Sequence, residues 1–222
     1  MRVLIACEES QALTKAFRAL GHEAFSCDLL PCSGGYPEWH IQGDVLMQLG
    51  GGWDLMIAHP PCTFLAGSGV QWLSHPEDKH LPFDERRPHP KYPNRREDMQ
   101  QSLEFVEALF NCNIPHICIE NPVGLLSSRF GKPSQIVQPY MFGDEATKTT
   151  CLWLKNLPKL VATEVVSKGE RTTFASGKSH PKWYADALKN AKTKEERQTL
   201  RSKTFPGMAA AIAFQFSEFL TK

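Results

Sequence analysis

The sequence predicts an α/β fold built on a mainly parallel sheet that is flanked by helices. Short apolar runs at residues 2–6, 22–27 and 53–58 have the length and composition of buried parallel strands. Between the first two runs, apolar residues recur at helical spacing over residues 11–20, which gives a βαβ unit. The length of 222 residues is enough for one well-packed domain.

The second half of the chain continues the same alternation. An apolar stripe over residues 98–111 predicts a helix, and residues 116–119 predict the strand that follows it. Residues 135–142 and 149–154 look extended and are expected to pair with each other. The last apolar stretch, residues 208–220, predicts a helix that packs on the sheet.

The net charge of +1 conceals an uneven distribution. Residues 155–203 hold 12 Lys and Arg against 5 Asp and Glu. Such a segment can contact phosphates, although a solvated lysine-rich helix explains the composition equally well. Residues 74–98 are rich in proline and charge, so they predict a long exposed loop that is either a mobile lid or a substrate contact.

Cysteine usage and hydropathy favour a soluble, cytoplasmic protein. The seven cysteines show no paired spacing, so we expect reduced thiols rather than disulfides. No CxxC pair or similar ligand pattern occurs, so we expect no metal. No apolar run is long enough to cross a bilayer and residues 1–10 lack the features of a secretory signal, so we expect no membrane partner.

Two of the predicted strands are each followed by a proline motif that carries a reactive side chain. These motifs are PPC at residues 60–62 and ENP at residues 120–122. Because proline cannot continue a central strand, Cys62 must lie in a loop just past a carboxyl end, the edge where open α/β sheets place their active sites. Taken alone, Cys62 could be a small buried hydrophobe and Glu120 a turn cap, but their joint placement favours catalysis.

These motifs resemble the Pro-Cys and Glu-Asn motifs of the DNA cytosine-5 methyltransferase family. The resemblance extends to the opening βαβ unit, to residues 43–45 (GDV) and to the C-terminal segment. It implies a Rossmann-like methyltransferase fold, the cofactor S-adenosyl-L-methionine, and cytosine-containing DNA with the target base flipped out as the partner. It also implies a methyltransferase core at residues 1–154, a small basic recognition region at 155–200, and a C-terminal helix at 201–222 that returns to the core.

The resemblance implies catalytic roles for Cys62, Glu120, Asn121 and Pro61. A thiolate at Cys62 would add to carbon 6 of cytosine and enable carbon 5 to attack a methyl sulfonium. Glu120 would share a proton with the ring nitrogen as charge builds up there. Asn121 and Pro61 would shape the loops around these two groups.

The resemblance also implies a cofactor site at the ends of the first strands. Asp28, at the tip of the second strand, would hold the ribose and Asp44 the adenine, although both could be ordinary turn residues. The first loop, residues 6–10 (ACEES), lacks the glycines of the family's motif, so its contacts would come from side chains. Ser10 could equally be a helix cap. The residues expected to contact the cofactor are Ala6, Glu8, Ser10, Asp28, Asp44, Pro60 and Gly207.

Four cationic or hydroxyl side chains are expected to contact the substrate. The family's arginine-bearing motif corresponds to residues 138–150, which contain no arginine, so Lys148 and Thr150 would take its place. A plain hairpin edge explains these two residues equally well. Arg95 and Arg96, at the end of the charged loop, are expected to grip phosphates.

Three alternatives to this function follow from positions where the sequence departs from the family's pattern. Only 47 residues separate Trp153 from Arg201, where the family inserts a large recognition region, so RNA or a free nucleotide stays open as the substrate. The first loop without glycine leaves open a non-catalytic nucleic-acid-binding protein. An amino-group methyltransferase fits less well, because His59 and Cys62 stand where that class needs a hydrogen-bond acceptor and an aromatic ring.

Overall fold

The protein is built on a seven-stranded sheet. A computed structural model describes the backbone of residues 1–222 and the side chains of all of them except residues 194, 195 and 198. The strands are β1 (Arg2–Ala6), β2 (Glu23–Asp28), β3 (His40–Gln42), β4 (Leu55–Ala58), β5 (His116–Asn121), β6 (Gln135–Val137) and β7 (Thr150–Lys155). They lie in the order β3-β2-β1-β4-β5-β7-β6, in which the first five are parallel and β7 runs antiparallel to both neighbours. This is a Rossmann-like α/β fold with a mainly parallel sheet flanked by helices, which confirms the predicted fold class.

Helices cover both faces of the sheet. The α-helices of the chain are α1 (Ala12–Ala19), α2 (Arg95–Asn111), α3 (Leu126–Phe130), α4 (Lys182–Asn190), α5 (Lys194–Ser202) and α6 (Pro206–Leu220), of which α1, α2 and α6 supply most of the cover. On one face, α1 and α6 pack together and bury Leu13, Phe17 and Phe216 completely. On the other face, α2 contributes Val106 and Leu109 to a second core cluster. Because the central strands are covered on both sides, β1 and β4 are buried along nearly their whole length.

Most of the predicted elements are confirmed. β1, α1, β2, β4 and α6 lie close to their predicted positions, and β6 and β7 pair as expected. β5 is longer than predicted, because Glu120 and Asn121 still pair with β7 before Pro122 ends the strand. β3 was not predicted, since its three residues follow a turn-rich segment and carry no strand pattern of their own.

The segment at residues 74–98 is mostly exposed, as the sequence predicts. It also contains short helical turns that were not predicted: its 3₁₀ helices are Pro76–His80 and Phe83–Glu85, and α2 begins at Arg95. Arg96 donates to the carbonyl oxygens of Leu73 (2.9 Å) and Arg86 (2.8 Å). The buried carboxylate of Asp78 accepts from the guanidinium of Arg87 at 2.7 and 2.9 Å. These arginine contacts hold the exposed segment in a defined conformation.

Residues 155–200 add a second, smaller sheet and two helices. Strands β8 (Arg171–Thr173) and β9 (Ser179–Pro181) pair antiparallel, and α4 and α5 follow them. His180 of β9 stacks on Tyr184 of α4, with the ring centroids 5.0 Å apart. Whether this part acts as a separate recognition region stays a prediction.

All seven cysteines are free thiols, and three of them are buried.

Within the described side chains, no group of three or more His, Cys, Asp or Glu residues is arranged to hold a metal ion. Among the helices that the structure describes, none combines the length and apolar character needed to cross a bilayer.

Candidate active site

The carboxyl ends of β4 and β5 form the centre of the candidate site. The side-chain amide of Asn121, the last residue of β5, donates to the carbonyl oxygen of Pro60 over 2.8 Å. The backbone N–H of His59 donates to the carbonyl oxygen of Ala6, the last residue of β1, over 2.9 Å. The loop that carries Cys62 is therefore tied to two neighbouring strands of the parallel sheet.

Cys62 is an exposed residue in this loop. The pKa of its thiol is raised, first because surrounding protein atoms desolvate it although solvent still reaches the residue, and next because of the negative charge of Glu120. The positive charges of Lys148 and Arg201 act in the opposite direction. The hydrogen bonds of Asn121 to Pro60 and of His59 to Glu120 place the loop of Cys62 next to the end of the strand that carries Glu120. In the free protein the thiol is protonated at neutral pH.

Glu120 lies on β5 with only 13% of its side chain exposed. Its Oε2 accepts a hydrogen bond from Nδ1 of His59 over 2.9 Å. Burial by itself raises the pKa of this carboxyl group, but the hydrogen bond from His59 and the charge of Lys148 oppose it, and the net pKa is lowered. Glu120 is therefore ionised at neutral pH in the free protein.

The loop after β1 is organised by Glu8, which is only 4% exposed. Its carboxylate accepts from the backbone N–H groups of Leu13 (2.8 Å) and Thr14 (3.2 Å) and from the hydroxyl of Thr14 (2.8 Å). The carboxylate thus caps the N-terminus of α1, where unpaired N–H groups and the helix dipole favour a negative charge. Ser10 does not cap the helix, and instead lines a cavity beside this loop.

The same loop contains two residues in the left-handed conformation. Cys7 has φ 59° and Gln11 has φ 58°, values that favour glycine. Cys7 is held by a backbone hydrogen bond to the carbonyl oxygen of Cys27 (2.7 Å). The buried side chain of Gln11 donates to the carbonyl oxygen of Tyr36 over 2.8 Å. The backbone therefore makes left-handed turns of the kind that glycine usually makes, and tertiary hydrogen bonds support them.

A cleft beside the strand ends consists of three cavities that all have Pro61 in their walls. Their volumes are about 320, 100 and 390 Å³. The first is lined by Cys7, Glu8, Ser10, Asp28 and His59 among others, and the second by Cys7, Asp28, Asp44, Val45 and Phe105 among others. A larger cavity of about 610 Å³ lies between α4, α5 and the start of α6, and none of the predicted site residues lines it.

Asp28 and Asp44 lie together at the second cavity. Asp28 ends β2 and accepts from the backbone N–H of Leu30 through Oδ1 over 2.9 Å. Asp44 is exposed and accepts from the backbone N–H of Leu46 through Oδ1 over 2.9 Å. Both carboxylates therefore make the backbone contact that is expected of an ordinary turn residue. For each of them, however, no hydrogen bond to Oδ2 occurs among the described residues.

Lys148 is held by contacts with the end of α5. Its ammonium group donates to the carbonyl oxygens of Ser202 (3.3 Å) and Lys203 (3.1 Å) at the end of α5. Its charge lowers the pKa values of both Cys62 and Glu120. Thr150 is fully buried and donates its hydroxyl hydrogen to the carbonyl oxygen of Lys148 over 3.0 Å. Lys148 therefore lies in the site, whereas Thr150 supports its backbone.

The two arginines at the start of α2 differ in their surroundings. Arg95 donates to the carbonyl oxygen of Thr63 over 2.8 Å, next to Cys62, and its guanidinium lies 5.1 Å from the ring centroid of Phe64. Arg96 donates to the carbonyl oxygens of Leu73 and Arg86 and to the hydroxyl of Ser74. Arg95 thus borders the candidate site, and Arg96 holds the neighbouring segment together.

Gly207 is placed by packing at the start of α6. A Cβ atom at this position would lie 1.9 Å from the carbonyl oxygen of Phe142, so only glycine fits. Its N–H donates to the carboxylate of Asp144 over 2.9 Å. Gly207 is not among the residues that line the three cavities, so this close approach serves the contact between α6 and the segment at residues 142–144.

No protein-family model and no curated protein matches this chain. Among solved structures, the chain is similar to a triple mutant of Spodoptera frugiperda DNMT2, with 13% sequence identity and a TM-score of 0.39. The match covers 75% of this chain and 54% of that protein, so the chain spans about half the length of DNMT2. A similarity this low does not identify a function.

Several residues at the site were not predicted as functional. His59 lies within the motif that was singled out, and its side chain contacts Glu120 directly. Arg201 is close enough to influence the thiol of Cys62, and its guanidinium packs 4.5 Å from the ring centroid of Tyr184. Thr199, Ser202 and Thr204 line the cavity of about 320 Å³. A polar residue directly before a proline motif was a local signal for His59, whereas nothing local marks the α5 residues.

Proposed function

We propose that this chain is a methyltransferase that transfers a methyl group from S-adenosyl-L-methionine to carbon 5 of cytosine in DNA. In this proposal, residues 1–154 form the catalytic core. The observation that supports it most is the position of Cys62 and Glu120 at the carboxyl ends of two adjacent parallel strands, which the hydrogen bonds of Asn121 to Pro60 and of His59 to Glu120 join. A nucleophile and a carboxyl group at neighbouring strand ends are what a covalent attack on a pyrimidine needs.

The chain's own residues supply the covalent part of the reaction. Cys62, once deprotonated, bonds to carbon 6 of the pyrimidine, and the ring's electrons shift toward the nitrogen beside Glu120. Because Glu120 is ionised in the free protein, it would take up the proton that Cys62 loses and share it with that nitrogen, which limits the charge on the ring. Once carbon 5 carries the methyl group that the cofactor would supply, water removes the carbon 5 proton, the bond to Cys62 breaks, and the nitrogen returns its proton to Glu120. Lys148 and Arg201 favour the thiolate and so offset part of the desolvation, although the net pKa of the thiol is still raised.

The cleft fits S-adenosyl-L-methionine better than a phosphate-bearing cofactor. In dinucleotide-binding folds, the pyrophosphate binds at the N-terminus of the first helix. Here the carboxylate of Glu8 fills that position, so a second anion would be repelled. S-adenosyl-L-methionine carries no phosphate, and when bound it supplies an electrophilic methyl group. Asp28 would accept from the ribose hydroxyls and Asp44 from the adenine amine, beside the apolar surface of Phe105.

Nucleic acid as the substrate is supported by the charge around the cleft. Residues 155–203 carry 12 Lys and Arg against 5 Asp and Glu. The end of α5 contacts Lys148, and Thr199 and Ser202 line the cavity of about 320 Å³, so part of this basic segment borders the cleft. Phosphate contacts from such a segment would hold DNA while the target base enters the cleft.

A product assay tests the proposal. The protein is incubated with labelled S-adenosyl-L-methionine and cytosine-containing duplex DNA, and the digested nucleosides are separated to detect 5-methylcytosine. Parallel incubations use single-stranded DNA, RNA and deoxycytidine monophosphate. We expect 5-methyldeoxycytidine, its loss in Cys62→Ala, and no loss in the control Cys112→Ala. Methylation of RNA or the free nucleotide alone would contradict DNA as the substrate, and methylation at the amino group would contradict the mechanism.

A further inference from the structure

The imidazole of His59 is the main side-chain partner of Glu120. Its Nδ1 lies 2.9 Å from Oε2 of the carboxylate, and both side chains are only 13% exposed. The backbone of His59 is held by its hydrogen bond to the end of β1, so the ring is presented from a fixed position. A contact between two such constrained groups has a defined orientation.

The surroundings of the ring determine which nitrogen carries the hydrogen. Nε2 of His59 is buried and has no hydrogen-bond partner among the described residues. An N–H at that position would be buried without an acceptor, which costs more free energy than a bare lone pair. A hydrogen on Nδ1, in contrast, is donated to a carboxylate. The geometry therefore favours the neutral tautomer with its hydrogen on Nδ1, the less common form of free histidine.

We propose that His59 is a positioning residue that, as its Nδ1–H tautomer, fixes the carboxylate of Glu120 with Oε2 bound and Oε1 free for the pyrimidine. This inference rests on the proposed function. A carboxylate without this partner could turn about its last side-chain torsion, which is broad and roughly two-fold. Removal of the partner would also leave desolvation as the main influence on Glu120, so the pKa of the carboxyl group would rise.

Nuclear magnetic resonance tests the contact without any assay of activity. The protein is labelled with ¹⁵N in its histidine rings, and each resonance is assigned from single His→Asn variants. We expect His59 to show a protonated Nδ1 and an unprotonated Nε2 at neutral pH, and Glu120→Gln to weaken that preference. A ring protonated on Nε2 alone would overturn the proposal, whether or not the protein methylates cytosine.

Two substitutions separate the hydrogen bond from the rest of the ring. Asn at position 59 can place an amide N–H near the position of Nδ1, whereas Leu offers no donor. Loss of a hydrogen bond to a charged group predicts that His59→Leu slows adduct formation with 5-fluorocytosine DNA about 10- to 100-fold, while His59→Asn retains most of the rate. Adduct rates are compared at saturating S-adenosyl-L-methionine, because His59 also lines the cavity of about 320 Å³.

His116 provides the matched control, because it lies at the other end of β5 and its Nδ1 bonds the backbone carbonyl of Asn156 over 2.8 Å. His116→Leu should leave the adduct rate unchanged. Equal rates for wild type and His59→Leu would overturn the positioning role, as would equal losses in His59→Asn and His59→Leu when both variants remain folded. Failure of the wild type to form any adduct would instead count against the proposed function, and the tautomer measurement would still decide the contact.

Discussion

The side-chain amide of Asn121 donates to the carbonyl oxygen of Pro60 over 2.8 Å and joins the ends of two parallel strands that lie 61 residues apart in sequence. One of these ends carries the exposed thiol of Cys62, and the other carries Glu120. Because the amide is buried, it contributes both to stability and to the relative position of the two reactive groups.

Replacement of Asn121 by Ala should therefore lower both stability and activity. The carbonyl oxygen of Pro60 would lose its partner in a buried place, which predicts a loss of about 1–3 kcal/mol in the free energy of unfolding. Urea denaturation measures this loss, and Gln100→Ala on the exposed face of α2 is the control, with an expected change below about 0.5 kcal/mol. Equal stability of Asn121→Ala and wild type would contradict a structural role for the contact.

The reactivity of Cys62 should depend on its charged neighbours. Its raised pKa predicts that alkylation by iodoacetamide increases with pH through a range above that of a free cysteine. Lys148→Met removes a positive charge and should move this range further up, whereas Glu120→Gln removes a negative charge and should move it down. Mass spectrometry of the alkylated peptide over time gives the rates. A range below that of free cysteine, or shifts of the opposite sign, would contradict the electrostatic account of the site.

Glu8 should act mainly through the stability of α1. Glu8→Ala removes the acceptor for two backbone N–H groups, and the loss of a helix cap predicts about 1–2 kcal/mol of destabilisation. Glu8→Gln keeps an acceptor and should cost less. Glu23→Gln, which breaks only an exposed ion pair with Arg2, is the control and should change stability little. If Glu8→Ala unfolded like wild type but no longer bound S-adenosylhomocysteine, Glu8 would be a cofactor ligand instead of a cap.

The left-handed backbone of Cys7 predicts an unusual tolerance for glycine. The left-handed conformation at position 7 costs a non-glycine residue about 1 kcal/mol, and glycine adopts it without this cost. In Cys7→Gly this gain offsets the extra conformational entropy that glycine gives the unfolded chain. We expect stability within about 1 kcal/mol of wild type. Cys27→Gly, at a fully buried position in β2, has no such compensation and should cost at least about 2 kcal/mol. Equal losses in the two variants, measured by urea denaturation, would argue against strain at Cys7.

The position of the strand ends could be predicted because local signals are strong there. Apolar runs define β1 and β4, and the prolines after β4 and β5 mark where each strand must stop. Parallel strands share one carboxyl edge, so Cys62 and Glu120 could be expected near each other before any coordinates were known.

The walls of the site could not be predicted in the same way. Lys148 meets the end of α5 more than 50 residues later in the sequence, and no local pattern encodes that contact. The sequence did not predict that the Glu8 carboxylate caps α1 by binding its free N–H groups, and a contact of Glu8 with the cofactor stays a prediction. Arg96 was expected to contact phosphates, but it donates to carbonyl oxygens such as that of Arg86, which no local pattern indicates.

The most direct test of the central claim is a covalent trap. Duplex DNA that contains 5-fluorocytosine is incubated with the protein and S-adenosyl-L-methionine. Release of the enzyme requires removal of a proton from carbon 5, and because fluorine replaces that proton the adduct persists. We predict a protein–DNA band that survives denaturation, a single modified peptide containing Cys62, and no band with Cys62→Ala. A modified peptide that lacks Cys62, or an unchanged band in the variant, would contradict the account.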